Sequence, residues 1–199
     1  MTFYIGRVGI KLHFLFFIVL SYMLSFESGK YYITALFYAC IHECAHIAVL
    51  TRLYDGSFRV TVGMFGMRLD YDDTVRFTLK NEALTAFSGP CANLILTAVF
   101  YILTIINPDS RFFIASLIIN ASLAFFNMLP VVPLDGGNFL YNIILMKSSV
   151  QRADTVLNIT GICTLVLFAV ILIVFKSAII GTIAFFYIAF SFLLRLLKK

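Results

Sequence analysis

The chain has 199 residues, of which 61% are hydrophobic and 13% charged, with a mean hydropathy of +0.98. A water-soluble domain runs near 45–50% apolar and about 25% charged, so this composition excludes one, and five to seven spans of about 20 residues would consume nearly the whole length. The net charge of +5, which in a soluble chain would invite nucleic acid, fits basic residues held at one membrane face.

Six apolar segments follow in order, at about 8–26, 31–53, 83–106, 111–148, 155–175 and 177–195. The first follows Arg7 and Lys11 as the core of a signal peptide would. The next residues, Ser25-Phe26-Glu27-Ser28, offer no small-residue cleavage site, so the segment is read as a retained helix. Between the second and third segments, Phe58, Val60, Val62 and Met64 alternate with Arg59, Thr61 and Gly63. After Gly66 the alternation resumes at Met67, Leu69 and Tyr71, which predicts a short β-hairpin. The fourth segment is too long for one span and is interrupted by Pro130, Pro133, Gly136 and Gly137. Backbone groups freed by such a break at membrane depth must be met by protein, water or a ligand, so the break is expected to line a cavity. The expected fold is therefore an all-α polytopic membrane protein of about six transmembrane helices, the fourth broken, with a short β-hairpin loop. Residues 1–199 form one membrane-embedded domain in this reading, with no separate soluble domain.

Basic residues gather at the N-terminus, in the 54–82 loop and its flanks, in the 147–154 connection and at the C-terminus. Only Lys30, Arg111 and Lys176 fall elsewhere. Six spans bring the four basic stretches to the same side, which places both termini in the cytoplasm. Cys40, Cys44, Cys91 and Cys163 lie in apolar segments without zinc-finger spacing. They are expected as buried small residues rather than a disulfide framework.

The strongest local signal is His42-Glu43-Cys44-Ala45-His46 in the second segment. On a helix, residues four apart lie on one face, so both imidazoles reach a single metal ion and Glu43 stands beside it to act on a bound water. With only three His in 199 residues, chance gives this motif in fewer than about one chain in a thousand. Two buried histidines and a paired Glu would be the bland alternative, and a carboxylate at membrane depth is costly unless it is paired or functional. A catalytic zinc needs a third protein ligand and an open position. Of the acids in or against apolar segments, Glu43 is already assigned and Glu27 sits at the solvated end of the first span. Elimination leaves Asp135, in the break of the fourth segment, over its alternative as a simple helix cap. His13, the remaining histidine, reads first as an interfacial or packing residue and second as a lining of substrate access.

These residues resemble those of the site-2 proteases, zinc enzymes that cleave within the membrane. The resemblance rests on His42-Glu43-Cys44-Ala45-His46, on Gly89-Pro90-Cys91-Ala92-Asn93, and on the run Asn127-Met128-Leu129-Pro130-Val131-Val132-Pro133-Leu134-Asp135-Gly136-Gly137. Their order and spacing match the family over residues 31–148, the motif-bearing core. The resemblance implies one Zn2+ per chain held by His42, His46 and Asp135, with Glu43 as catalytic base. It also implies that Asn127 and Asn93 position the substrate or stabilise the oxyanion, where the bland reading is interhelical hydrogen bonding. Asn120 matches none of the family's motifs and reads as structural. The compact length is similar to the stage IV sporulation factor FB-like branch, which releases a membrane-tethered sigma factor precursor; the C-terminal regulatory domain frequent in that branch is not expected within these residues.

The expected reaction is hydrolysis of a peptide bond in or near a transmembrane segment of a membrane-tethered protein, such as a sigma factor precursor or an anti-sigma factor. A helical substrate hides its scissile amide and must unwind, and the 58–72 hairpin, through Val60, Val62 and Met64, is the expected strand to hold it extended. The partners expected are this substrate, the lipid bilayer and a regulatory membrane protein, with no nucleic acid; the residues are silent on oligomeric state. Two other classes compete: a membrane metal transporter using the same three ligands, and an inactive scaffold of the same fold. A transporter has no use for Glu43 beside the ligands and commonly shows repeat symmetry, which is not evident here.

Overall fold

A computed structural model describes residues 2–5, 8–12, 29–54, 58–63, 66–71, 78–174 and 179–197 of the chain. The described residues contain six helices: α1 (Gly29–Leu53), α2 (Leu79–Ile106), α3 (Arg111–Asn127), α4 (Asp135–Leu145), α5 (Val150–Val174) and α6 (Ile179–Leu197). Four short strands accompany them: β1 (Thr2–Ile5), β2 (Val8–Leu12), β3 (Phe58–Gly63) and β4 (Gly66–Tyr71).

The helix boundaries follow local chemistry. Thr78, Ser110 and Ser149 each accept a backbone N–H three residues on, at 3.3, 3.4 and 3.4 Å, and so cap the starts of α2, α3 and α5. Arg52 closes the last turn of α1 and Arg195 that of α6, where a cation suits the negative end of the helix dipole. Within α2, buried Pro90 removes the N–H that would meet the carbonyl of Ala86, a defect that neighbouring groups can satisfy in a membrane helix. The long fourth apolar segment is divided: α3 ends at Asn127, an irregular stretch carries Pro130 and Pro133, and α4 begins at Asp135.

Three helical stretches, Tyr31–Leu53, Leu79–Ile106 and Val150–Ile173, are long and apolar enough to cross a membrane, while Arg111–Asn127 and Phe185–Leu197 are shorter apolar helices. Their outer faces carry large apolar side chains such as Ile95, Ile102, Phe125, Val166 and Ile173, all exposed, as suits helices surrounded by lipid tails. The same faces carry Cys40, Cys44 and Cys163, which are exposed rather than buried as expected; all four cysteines are free thiols.

The strands form one sheet in the order β1-β2-β3-β4. β1 and β2 pair antiparallel, Ile5 opposite Val8, and β3 and β4 do the same, Phe58 opposite Tyr71 and Gly63 opposite Gly66. β2 and β3 run parallel, Val8 beside Phe58 and Leu12 beside Val62, and α1 lies in the connection between them, as a parallel pair requires a crossover. This sheet corrects the reading of residues 8–26 as one helix from its first residue, since Val8–Leu12 is a strand. The rest of that segment, His13 included, lies outside the described residues, as does Met64.

The chain divides into two compact units, and α2 and α3 contribute to both. One comprises Met1–Phe77 with Ala92–Ala121. Its interior includes Tyr38, which meets Phe100 edge-on at 5.6 Å, together with Leu50 and Tyr54. The other comprises Thr78–Cys91 with Ser122–Lys199. There Val131 and Leu134 of the irregular stretch pack with Ile188 and Phe192 of α6, flanked by Phe126, Leu129, Leu165, Phe168 and Tyr187. Gly161 of α5 lies directly under the Phe192 ring.

Candidate metal centre

The His-Glu-x-x-His motif occupies the middle of α1, in an uninterrupted helical turn without Gly or Pro. Helical spacing stacks His42 and His46 on one face, with ring centroids 4.9 Å apart, and both are buried, at 4% and 7% exposure. Their Nε2 atoms face each other at 3.2 Å. Two nitrogens bound at about 2.0–2.1 Å to a tetrahedral zinc stand about 3.3–3.4 Å apart, so the pair is spaced for one ion. Glu43, the next residue, is half-buried and takes part in a polar contact.

Behind His42, its Nδ1 meets Asn93 Oδ1 at 2.5 Å. This occupies the ring nitrogen that faces away from His46, the arrangement usual for a metal-binding histidine whose second nitrogen is held by an outer partner. Asn93 in turn donates its amide to Asn120 Oδ1 at 2.9 Å, and Asn120 donates to the Ser116 carbonyl at 2.9 Å. Asn93, Asn120 and Ser116 are all fully buried.

Asp135 stands at the first position of α4. The cap residue before it is Leu134, extended at φ −70° and ψ 159°, with no side-chain cap bond. The capping alternative for Asp135 therefore does not describe this helix start. Gly136 and Gly137 follow, both buried against the backbone of the irregular stretch. A Cβ on Gly136 would collide with the Met128 and Leu129 carbonyls, and one on Gly137 with Val131 and Val132 backbone atoms. Glycine alone lets the first turn of α4 lie this close to another chain segment. His42 and His46 each offer an imidazole nitrogen and Asp135 a carboxylate oxygen as candidate ligand atoms. Two imidazoles and a carboxylate are the donor set of a catalytic zinc site, and a fourth position is left for water.

The other expected site residues are placed differently. Asn93 accepts or shares a hydrogen with His42 through Oδ1 and donates one N–H to Asn120, the interhelical bonding that was its alternative reading. Asn127, at the end of α3, donates back to the Leu123 carbonyl at 3.0 Å. Val60 and Val62 lie in β3, which has a neighbour on each side; the edges of the sheet are β1 and β4. The expectation that Val60 and Val62 offer the open edge is corrected by this order. Asn120 was the residue that motif reading passed over. Its signal was its position, 27 residues beyond Asn93 and within another apolar segment where a polar amide must find a partner.

A helical membrane fold with this donor set defines a class, the membrane metalloproteins with a two-histidine, one-carboxylate centre. The comparisons with known proteins narrow it. The sequence model of peptidase family M50 matches residues 106–168, a stretch that contains Asp135. The chain is 27% identical over 153 residues to stage IV sporulation protein FB of Bacillus subtilis (strain 168), an overlap of 76% of this chain and 53% of that protein. It thus spans about half the length of the curated relative it matches. Its fold is similar to that of the site-2 protease from Methanocaldococcus jannaschii, with a TM-score of 0.66 and 19% identity over 96% of this chain and 92% of that one. The likeness to peptidase family M50 is thus carried by residues 106–168, and the likeness to the solved site-2 protease is one of fold.

Proposed function

We propose that the chain is an intramembrane zinc metalloprotease that hydrolyses a peptide bond in or near a transmembrane segment of a membrane-tethered protein. The observation that carries this reading is the His42–His46 pair, whose Nε2 atoms converge at 3.2 Å while His42 Nδ1 is held from behind. His42, His46 and Asp135 would hold the zinc. When bound, the ion supplies Lewis acidity and brings the pKa of a coordinated water towards about 7. Glu43, one residue from His42, takes the proton of the attacking water on a carboxylate oxygen and returns it to the leaving amine nitrogen. The irregular stretch before Asp135 carries non-helical backbone between two apolar helices, and such backbone at membrane depth suits the lining of a water path.

The substrate must be held extended before its carbonyl can react. β4 is an edge of the sheet, and strand addition there would hold it through main-chain hydrogen bonds. The kinship with a sporulation protein favours a membrane-tethered transcription factor or its membrane-bound inhibitor as the substrate class. Both termini lie in the cytoplasm in this reading, by the distribution of Lys and Arg.

The test is zinc content and cleavage together. Detergent-purified wild type should hold about one zinc per chain, and Glu43→Gln should keep it while losing cleavage of a membrane-tethered reporter. Well-folded protein that takes up no zinc after supplementation would sink the assignment. Zinc uptake without cleavage, but with metal flux in sealed vesicles, would favour a transporter.

A further inference from the structure

The buried amides behind His42 form a chain with only one allowed direction. The carbonyl of Ser116 can only accept, so Asn120 must turn its NH2 towards it, at 2.9 Å. That leaves Asn120 Oδ1 facing Asn93, which must then donate its own NH2, also at 2.9 Å. Asn93 is left with Oδ1 towards His42 Nδ1, and the ring nitrogen there must carry the hydrogen. A neutral imidazole protonated at Nδ1 has a bare lone pair at Nε2, the atom that faces His46 Nε2.

We propose that Asn120 is a positioning residue for the metal centre: through Asn93 it locks His42 in the Nδ1–H form, which leaves the ring's lone pair on Nε2, the ligand atom that faces His46. The order originates in a backbone carbonyl one helical turn before Asn120, and every group that relays it is buried, with Asn93, Asn120 and Ser116 at 0% exposure. Water has no access to rescue a reversed amide there. An Asn93 released from Asn120 can rotate its amide, present NH2 to His42, and shift the ring hydrogen to Nε2, where it blocks the metal. A hydrogen-bonded partner on the distal nitrogen of a ligand histidine typically changes metal affinity 10–100-fold.

This inference rests on His42 being a metal ligand, and the two readings fail in distinguishable ways. Histidine ring 15N shifts of the metal-free wild-type chain, recorded where the imidazoles are neutral, should show His42 with hydrogen on Nδ1 and none on Nε2. The opposite tautomer overturns the relay, whereas a wild type that binds no zinc overturns the ligand assignment. Asn120→Ala should weaken Zn2+ binding, read by competition with a chelator, about 10-fold or more. In the Asn93→Asp background the same substitution should cost much less, because a carboxylate can only accept and holds Nδ1–H without guidance from Asn120. A purely packing role for Asn120 predicts equal losses in both backgrounds, and that result would overturn the proposal. If Asn120→Ala does not fold, the tautomer in the wild type and the zinc affinity of Asn120→Ala/Asn93→Asp still decide it.

Discussion

The Cβ that Gly136 lacks would fall against the carbonyl of Met128. This contact is between backbone and backbone, so neither side can turn aside as a side chain would. The irregular stretch and the first turn of α4 are therefore locked together immediately beside Asp135. Gly136→Ala should cost about 1–3 kcal/mol of stability or more, the usual range for overpacking a filled interior, and should lower zinc occupancy by moving Asp135. Gly161→Ala is the control. There the added methyl meets the Phe192 ring on α6, so stability should fall while zinc stays bound. Zinc per chain and thermal melting of the two variants check this; full zinc occupancy in Gly136→Ala would separate the packing from the site.

The proposed ligands and Glu43 should not respond alike to substitution. Asp135→Asn removes the charge and leaves a poor zinc donor at the same position, so zinc should be lost, as in His46→Ala. Glu43→Gln keeps the shape of the side chain and removes the base, so zinc should remain while cleavage falls about 10²–10⁴-fold, the usual worth of a positioned general base. Chelation of the wild type should abolish cleavage, and added Zn2+ should restore it. Metal analysis beside a cleavage assay reads all of these, and loss of zinc in Glu43→Gln would make Glu43 a ligand instead.

Much of this architecture was legible in the residues because helices in lipid announce themselves by length. The segments read at 31–53, 83–106, 155–175 and 177–195 lie close to α1, α2, α5 and α6, and the Pro and Gly residues after Asn127 mark the break between α3 and α4. The N-terminal strands were hidden by the same apolar signal. Val8–Leu12 is too short to show a period and runs on into an apolar stretch, so it joined the first segment. The available clue was the Gly6-Arg7 pair between Ile5 and Val8, a two-residue spacing typical of hairpins. Asn93 was legible as a motif residue, with interhelical bonding as one of its two readings, but its partners were not legible. Its partner His42 lies 51 positions away, and no periodicity within one segment reports a pairing between two.

Arg195 and Asp154 tie the end of α6 to the start of α5, with N···O at 2.9 Å and side chains only 19% and 20% exposed. The guanidinium also lies 5.6 Å from the Tyr141 ring centroid of α4. A half-hidden pair of this kind lies between the small worth of surface bridges and the strong dependence of buried ones on both partners. Arg195→Ala should lower stability by about 1–2 kcal/mol, because it removes the pair and the ring contact together. Asp154→Ala alone should cost less than that, and the double substitution less than the sum, since both single changes delete the same bridge. Thermal melting of the four species closes the cycle, and strict additivity would show that the pair contributes nothing of its own.

The order of the sheet changes which strand a substrate would use. β3 is flanked by β2 and β4, so its backbone groups are already committed on both sides, and among the described residues β1 and β4 are the edges of the sheet. β4 follows β3 through a short connection and is the edge that remains in the hairpin. A substrate segment added there would gain main-chain hydrogen bonds regardless of its side chains, which fits the proposed cleavage of a segment that must first be unwound. Replacing Met67, Arg68 and Leu69 by a proline-containing segment should remove that edge. Zinc content should be unchanged, since His42, His46 and Asp135 belong to other elements, while the cleavage rate of a helical substrate should drop sharply. A peptide already extended by proline near its scissile bond should lose less. Equal loss on both substrates with zinc retained would assign β4 a structural role instead, because only an edge that holds the substrate extended distinguishes the two.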